Sequence, residues 1–351
     1  MGAASSTDGA VTEMPSSPTD NPLVQDPATD PEDRALVLRA KSGDATAVEQ
    51  LIVRHQPWIY NIAVRMLYHP QDAEDATQEI LVKALTALSS YEGRSTFRTW
   101  LYRIAVNHVL NAKRGRFEPP TMSFSCYGHG LDRTPDLDLP DQRSVPVDVR
   151  LLLEEARLSC TTGMLLCLDR EQRLVYILGE IFEVTDLVGA ELLEISRETF
   201  RQRLARARRD LHSFLNDRCG LVNRANPCRC DKKTRGFMQA GYVDPKSLLF
   251  ASEHLKRVRD VTQSKADALK TLDAQYAEIF RQHPFYRPRD VPPALRGLLA
   301  GPSFKLATDV AWPDSRTDRD PEHLKTRCEA GREARDVQGL DEEAKMLAEK
   351  L

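Results

Sequence analysis

Between Arg197 and Arg209 the chain sets six arginines against a single glutamate. That concentration suits phosphate binding, because a guanidinium fork pairs with phosphate oxygens and with the major-groove edge of guanine. A second cluster, Asp72, Glu74, Asp75, Gln78 and Glu79, is acidic and falls on the early turns of an apolar-striped segment. A third is sulfur: Cys219, Cys228 and Cys230 lie within twelve residues, with Lys232, Lys233 and Arg235 behind them. Three thiols, with His212 or His254 as a fourth ligand, could hold zinc, although the spacing is not a standard zinc pattern. Basic neighbours could instead lower a thiol pKa and make a redox switch, or the cysteines could be structural. No Gly-rich phosphate loop, paired catalytic carboxylates or nucleophile motif accompanies them. The chemistry on offer is therefore binding and not bond-making: the chain reads as no enzyme, with no cofactor required beyond a possible zinc.

These side chains must be placed by helices. A first helix is expected from Pro31, with Glu32 and Asp33 in its first turn and Leu36, Val37 and Ala40 inside; Ser42, Gly43 and Asp44 end it and cap the next. The second runs over 45–68 on Val48, Leu51, Ile52, Ile59, Ile62, Ala63, Met66 and Leu67, with Pro57 expected to kink or split it. The third starts at Asp72. Acids there suit the helix dipole, so alone they read as ordinary N-terminal stabilisation.

A Ser/Gly/Thr loop over 89–96 breaks the pattern, and Phe97, Trp100, Leu101, Ile104, Ala105 and Val109 restore it. Arg98, Arg103, Asn107, His108, Asn111, Lys113, Arg114 and Arg116 take the other face. Basic and amide groups beside aromatics are what a single-stranded nucleic acid requires. Phe97 and Trp100, three apart, read as core and not as base platforms.

Residues 117–149 carry five prolines and a surplus of acids without apolar period, and read as a flexible acidic linker. A second helical module spans 150–217. Within it Thr185 and Ser196 are placed to cap a short and a long helix around a turn at Glu194-Ile195, the pattern of a helix-turn-helix. Phe200, Leu204, Ala207 and Leu211 turn inward and leave Arg201, Gln202, Arg203, Arg206 and Arg209 outside.

At 351 residues and 41% hydrophobic content the chain has room for two or three folded units, and its net charge of −3 conceals the local asymmetry. Residues 1–31 are an acidic tail without apolar period. Neither a secretory signal nor a membrane-length apolar run is present. Seven cysteines without such a signal fit a cytoplasmic protein with reduced thiols. The start Met1-Gly2-Ala3-Ala4-Ser5-Ser6 matches a myristoylation pattern and reads as coincidence in a tail rich in small residues.

Three motifs carry a resemblance. They are DAEDATQE over 72–79, YEGRSTFRTWLYRIAVN over 91–107 and ISRETFRQRLARAR over 195–208. Residues 32–116 and 150–217 resemble regions 2 and 4 of bacterial RNA polymerase sigma factors of the extracytoplasmic-function (ECF) type of the sigma-70 family. The resemblance implies an all-α fold and a transcription initiation factor with core RNA polymerase and promoter DNA as partners, an anti-sigma factor as a further one, and no membrane. Asp72, Glu74, Asp75, Gln78 and Glu79 would dock on the polymerase. Tyr91, Arg94, Ser95, Thr96, Arg98, Arg103, Asn107, Asn111, Lys113 and Arg114 would open and hold the −10 element. Arg197, Glu198, Thr199, Arg201, Gln202, Arg203 and Arg206 would read the −35 element. Glu194 stands where the family usually has a turn glycine, which implies a less tight turn. A stand-alone helix-turn-helix regulator is the alternative; it would need neither the acidic helix nor the 91–116 stretch.

The resemblance ends near residue 217 and the chain continues to 351. After the cysteines, a long helix is expected over 246–282 on Leu255, Val258, Thr262, Lys265, Leu269, Leu272, Tyr276 and Ile279. A Pro-rich turn, a short helix near 294–299 and a polar tail follow. The position of this extension, directly behind the arginine helix, suggests a built-in regulator.

Overall fold

Asp44 accepts the main-chain N–H groups of Thr46 and Ala47 at 2.9 and 3.2 Å and so starts the central helix of the first module. The structure is a computed structural model that describes residues 31–112, 122–251, 272–281, 283 and 285–286. The first module holds α1 (Pro31–Lys41), α2 (Ala45–Leu67), α3 (Pro70–Ala87) and α4 (Phe97–Asn111). Pro57 does not split α2. Its ring removes one intrahelical bond, and every residue from His55 to Leu67 is buried, so packing holds the turn. The α3 helix begins ahead of Asp72, with Pro70 in its first turn, where a missing N–H costs nothing. Thr96 caps α4 by accepting the Thr99 N–H at 3.2 Å.

The second module contains α6 (Val149–Leu165), α7 (Arg170–Tyr176) with a π-helical turn at Ile177–Ile181, α8 (Asp186–Leu193) and α9 (Arg197–Arg218). Between the modules lies α5 (Phe124–Arg133), which corrects the expectation of a featureless linker over 117–149. Prolines and acids hid Phe124, Tyr127 and Leu131, whose spacing is helical. Ser123 caps the helix through the Cys126 N–H at 3.2 Å. The rings of Phe124 and Tyr127 pack on Phe214 at 5.2 and 6.1 Å, and the Tyr127 hydroxyl donates to the Cys160 carbonyl at 2.8 Å. Through these contacts α5 packs on the second module.

The extension contributes α10 (Cys230–Gln239) and α11 (Leu272–Arg281). Residues 244–251 form turns, not the start of the expected long helix. The reason is Glu155 on α6: its carboxylate accepts the N–H groups of Leu249, Phe250 and Ala251 at 2.7–2.9 Å, donors a helix would have used elsewhere. Leu255, Val258, Thr262, Lys265 and Leu269, and the helix expected near 294–299, fall outside the described residues. Among the described residues the fold is all-α, and an isolated parallel bridge joins Cys219 to Cys228.

The modules are not held apart. One apolar core runs from Leu36 and Ile59 through Leu174 and Ile177 to Phe250 and Tyr286. Arg173 of α7 is 1% exposed. It donates to the carbonyls of Leu165, Leu166 and Leu168 in its own module and to that of Met66, at the end of α2, in the other. The α4 helix packs against α8, where Arg103 lies 3.7 Å from Glu191 and 3.6 Å from Glu194. Arg170 donates to the carbonyls of Val109, Leu110 and Ala112 at the end of α4.

Candidate nucleic-acid and protein interfaces

Along the first half of α9 the exposed positions include Arg197, Glu198, Arg201, Gln202, Arg206 and Arg209, and the buried side of the helix includes Phe200, Ala207, Leu211, Phe214 and Leu215. That is a 3.6-residue period with one basic face. Ser196 caps the helix through the Thr199 N–H at 3.0 Å, which uses Thr199 structurally at the entry of the basic face. Neighbours hold the arginines in place. Arg197 donates to Asp186 at 2.9 Å, and Arg201 reaches Asp186 at 3.3 Å and Glu198 at 2.9 Å. Gln202 donates to Glu198 at 2.9 Å. These guanidinium groups keep the Asp186 and Glu198 carboxyls below the usual carboxylate range, Arg197 having the largest effect on Asp186 and Arg201 on Glu198. Arg203 is half-buried against Glu171 at 2.7 Å, away from the exposed row.

The turn into α9 is tight despite the absence of glycine. Glu194 adopts φ 53° and ψ 40°, the left-handed conformation that glycine takes without strain. Ile195 N–H closes back on the Ala190 carbonyl at 3.1 Å. The expected loosening does not occur.

In the first module the loop before α4 is an aromatic nest. Tyr91, Phe97 and Trp100 pack with ring centroids 5.3–5.8 Å apart. The Tyr91 hydroxyl donates to the Ser95 carbonyl at 2.6 Å, and Lys41 donates to the Tyr91 carbonyl at 2.7 Å. Gly93, at φ 74°, makes the bend. Arg94 points outward and pairs with Glu92 at 2.6 Å. Trp100 is half-buried, its ring backed by the core.

Arg98 is a correction. It was grouped with the DNA-contacting side chains, but it is 5% exposed and its Nε lies 2.9 Å from Asp33 Oδ2. Asp33 is itself buried and meets Arg54 at 2.8 Å and His55 at 3.2 Å. Arg98 lies in the first turn of α4 on the side that faces α1, so its charge closes an internal network. Arg103 is also turned inward, toward Glu191 and Glu194. Asn107 is half-buried and Asn111 exposed. Lys113 and Arg114 lie outside the described residues.

On α3, Asp75, Gln78 and Glu79 are exposed and share a stripe with Val82, 40% exposed. Asp72 and Glu74 are half-buried at the helix start. The stripe is acidic with an apolar end.

The cysteines gain a member that the sequence did not reveal. Cys219, Cys228, Cys230 and Cys160 of α6 line one apolar cavity of about 20 Å3, beside Arg157 and Arg218. Burial pushes all four thiols up, Cys230 to about 12, and at Cys219, Cys228 and Cys230 it outweighs the basic neighbours. Of the three readings left open for these cysteines, activation by basic neighbours is the one this burial disfavours. His212 is not part of the cluster, since it stacks on Tyr276 at 4.3 Å, and His254 lies outside the described residues. Among the described residues no group of three Cys, His, Asp or Glu side chains stands ready to hold an ion, and no helix is long and apolar enough to cross a membrane.

Sequence comparison bears on these faces. The Sigma-70 region 2 family matches residues 51–116, the stretch that carries the acidic stripe and the aromatic nest. The RNA polymerase sigma-H factor of Pseudomonas aeruginosa is 41% identical over 93 residues, which are 26% of this chain and 48% of that protein; the chain thus spans about half of that relative. The ECF RNA polymerase sigma-E factor of Escherichia coli is 30% identical over 179 residues, 50% of this chain and 90% of that protein. A solved structure, of CnrH in complex with the cytosolic domain of CnrY, aligns with a TM-score of 0.36 at 26% identity, covering 53% of this chain and 97% of that one. The region 2 match lies wholly outside the helix-turn-helix, so a stand-alone regulator does not account for it. The likeness to sigma-E covers nearly all of that protein, and the chain belongs to the ECF-type sigma-70 family of transcription initiation factors that direct RNA polymerase to promoters.

Proposed function

We propose that the two exposed faces divide the work of initiation between them. The observation that carries this is their separation: an acidic stripe on α3 in the first module and a basic row on α9 in the second. Asp75, Gln78 and Glu79 dock on core polymerase, with Asp72 and Glu74 setting the start of that helix. Tyr91, Arg94, Ser95 and Thr96, around the aromatic nest, receive the −10 element, with Asn107, Asn111, Lys113 and Arg114 following the strand. Arg197, Glu198, Arg201, Gln202 and Arg206 enter the −35 major groove, where arginine and glutamine read base edges and the remaining cations hold phosphates. Arg103 joins the −10 set only when α4 leaves α8.

Sigma factors generally act without bond chemistry of their own, and the same role is assigned to this chain, in the cytoplasm. An anti-sigma protein is a further partner in this reading. Zinc is an accessory to it, at Cys219, Cys228 and Cys230 with Cys160 as a fourth thiol. What supports zinc is the donor type alone, four thiols lining one cavity, and they would have to draw together into a ligand set that they do not form in this arrangement. The ion would have to displace protons that burial holds in place.

The test is in vitro transcription by full-length protein and core polymerase on fragmented genomic DNA. Promoter-specific transcripts are expected. Asp75→Ala with Glu79→Ala should weaken core binding by about tenfold, roughly 1.4 kcal/mol. Absence of promoter-specific transcripts with the wild-type protein would overturn the reading.

A further inference from the structure

The −10 and −35 elements lie about 25 base pairs apart by their names, about 85 Å along a duplex at roughly 3.4 Å per pair. The structure instead sets α4 directly against α8, with Arg103 within 4 Å of Glu191 and Glu194. A chain in this arrangement cannot place both modules on one promoter.

Beside the shared core and the Arg173 and Arg170 bonds, the segment from α11 to Tyr286 adds a tie that reaches both modules. On its first-module side, Asn61 of α2 and the main chain of Tyr286 bond both ways: the Asn61 amide donates to the Tyr286 carbonyl at 2.7 Å, and the Tyr286 N–H donates to Asn61 Oδ1 at 3.0 Å. Phe285 packs on Trp58 of α2 with ring centroids 4.8 Å apart. On its second-module side, Arg281 donates to the Glu180 carbonyl at 2.6 Å and pairs with Glu183 at 3.0 Å. The His283 ring lies 2.6 Å from the Thr161 hydroxyl of α6. Two of these anchors reach the first module and two the second. This is a clasp across the seam rather than a tail resting on one unit.

We propose that α11 together with His283, Phe285 and Tyr286 is a cis-acting clasp that helps hold the two promoter-reading modules closed, and that it must release from one of them before the protein can engage both elements. The proposal rests on the sigma-factor reading above. The clasp covers neither exposed face: the α3 stripe and the arginine row of α9 stay open. It restrains the distance between the modules. Core polymerase can thus be met by α3 first, and opening follows.

Two full-length variants test this. Arg281→Ala with Phe285→Ala removes an anchor on each side. Arg281→Glu puts a carboxylate opposite Glu183 and leaves the buried aromatic contacts alone, so it decides the matter if the double variant does not fold. Circular dichroism checks folding, small-angle scattering reads the radius of gyration, and transcription on promoters recovered with the wild type reads output at limiting protein. The expected result is native helicity, a larger radius and severalfold more promoter-specific transcript. Folded variants with unchanged radius, or expanded variants with no gain in transcript, would overturn the clasp. Absence of transcripts from every form, wild type included, would strike the sigma reading itself, and scattering would then still report whether the clasp holds the modules together.

Discussion

The Arg173 guanidinium crosses from the second module to the first and donates to the main-chain carbonyl of Met66 at 2.6 Å. The same group serves the carbonyls of Leu165, Leu166 and Leu168. One buried cation thus answers four main-chain acceptors that have no water to turn to. Arg173→Leu fills similar space but removes the shared donor, leaving the Leu165 carbonyl with its bond from the Leu168 N–H. It should lower unfolding free energy by about 2–4 kcal/mol, read as a shift in the urea midpoint. A change smaller than about 1 kcal/mol would show that the acceptors find other donors.

Arg98 and Arg94 sit close in sequence and should behave oppositely. Arg98→Ala removes one charged partner of the buried Asp33, which keeps Arg54 and His55, and should cost about 1–3 kcal/mol of stability. Arg94→Ala, on an exposed arginine paired with Glu92, should leave stability within about 0.5 kcal/mol of wild type while reducing promoter opening. Permanganate footprinting of unpaired thymines and thermal melting separate the two effects.

Glu194 holds a left-handed backbone conformation that glycine adopts freely. Glu194→Gly should stabilise the turn by about 1 kcal/mol, offset in part by loss of the long ion pair to Arg103, worth about 0.5 kcal/mol or less. The expected outcome is a melting temperature equal to or above that of wild type. A clear fall would mean that the glutamate side chain does more than tolerate its backbone.

Glu155 carries a pH signature. Burial raises its carboxyl above the usual range, and the N–H groups of Phe250, Ala251 and Leu249 only partly offset this. A raised folded-state value means the folded chain keeps a proton that the unfolded chain has released. The contribution of this group to stability is therefore complete below the ordinary carboxylate range and is lost as pH rises through the raised value. The stability difference between wild type and Glu155→Gln should narrow from about pH 4 to pH 7. Widening over that range in urea titrations would contradict the assignment.

The thiol cavity makes a chemical prediction. Protein prepared with zinc and then desalted should retain the metal, and Cys160→Ser should reduce retention as strongly as Cys228→Ser. Elemental analysis with thiol titration decides it. Metal-free protein with all four thiols reactive would remove zinc from the account.

The arginine row of α9 was legible because exposed side chains of one type, repeated at helical spacing, need no tertiary information. Both caps, at Thr185 and Ser196, were equally local, and so was the apolar stripe of α3. Arg98 was not legible. It is one basic residue among several on its helix, and its distinction comes from Asp33, far away in α1. The α5 helix was masked by composition, its three apolar positions outnumbered by prolines and acids. Cys160 lies well outside the twelve-residue cysteine run and joins it only once α6 folds against α10. Asn61 was counted with neither the core nor the binding faces, because a buried amide shows its purpose only when its partner, the Tyr286 backbone, arrives.

That partner arrives late. Asn61 and Tyr286 are separated by 225 positions, and a ribosome adding about 5–20 residues per second needs roughly 10–45 s to cover them. For that interval the nascent first module exists without the segment that will later bridge it to the second. A newborn chain therefore passes through an unclasped state once, before the finished protein closes, and any polymerase nearby meets that form first.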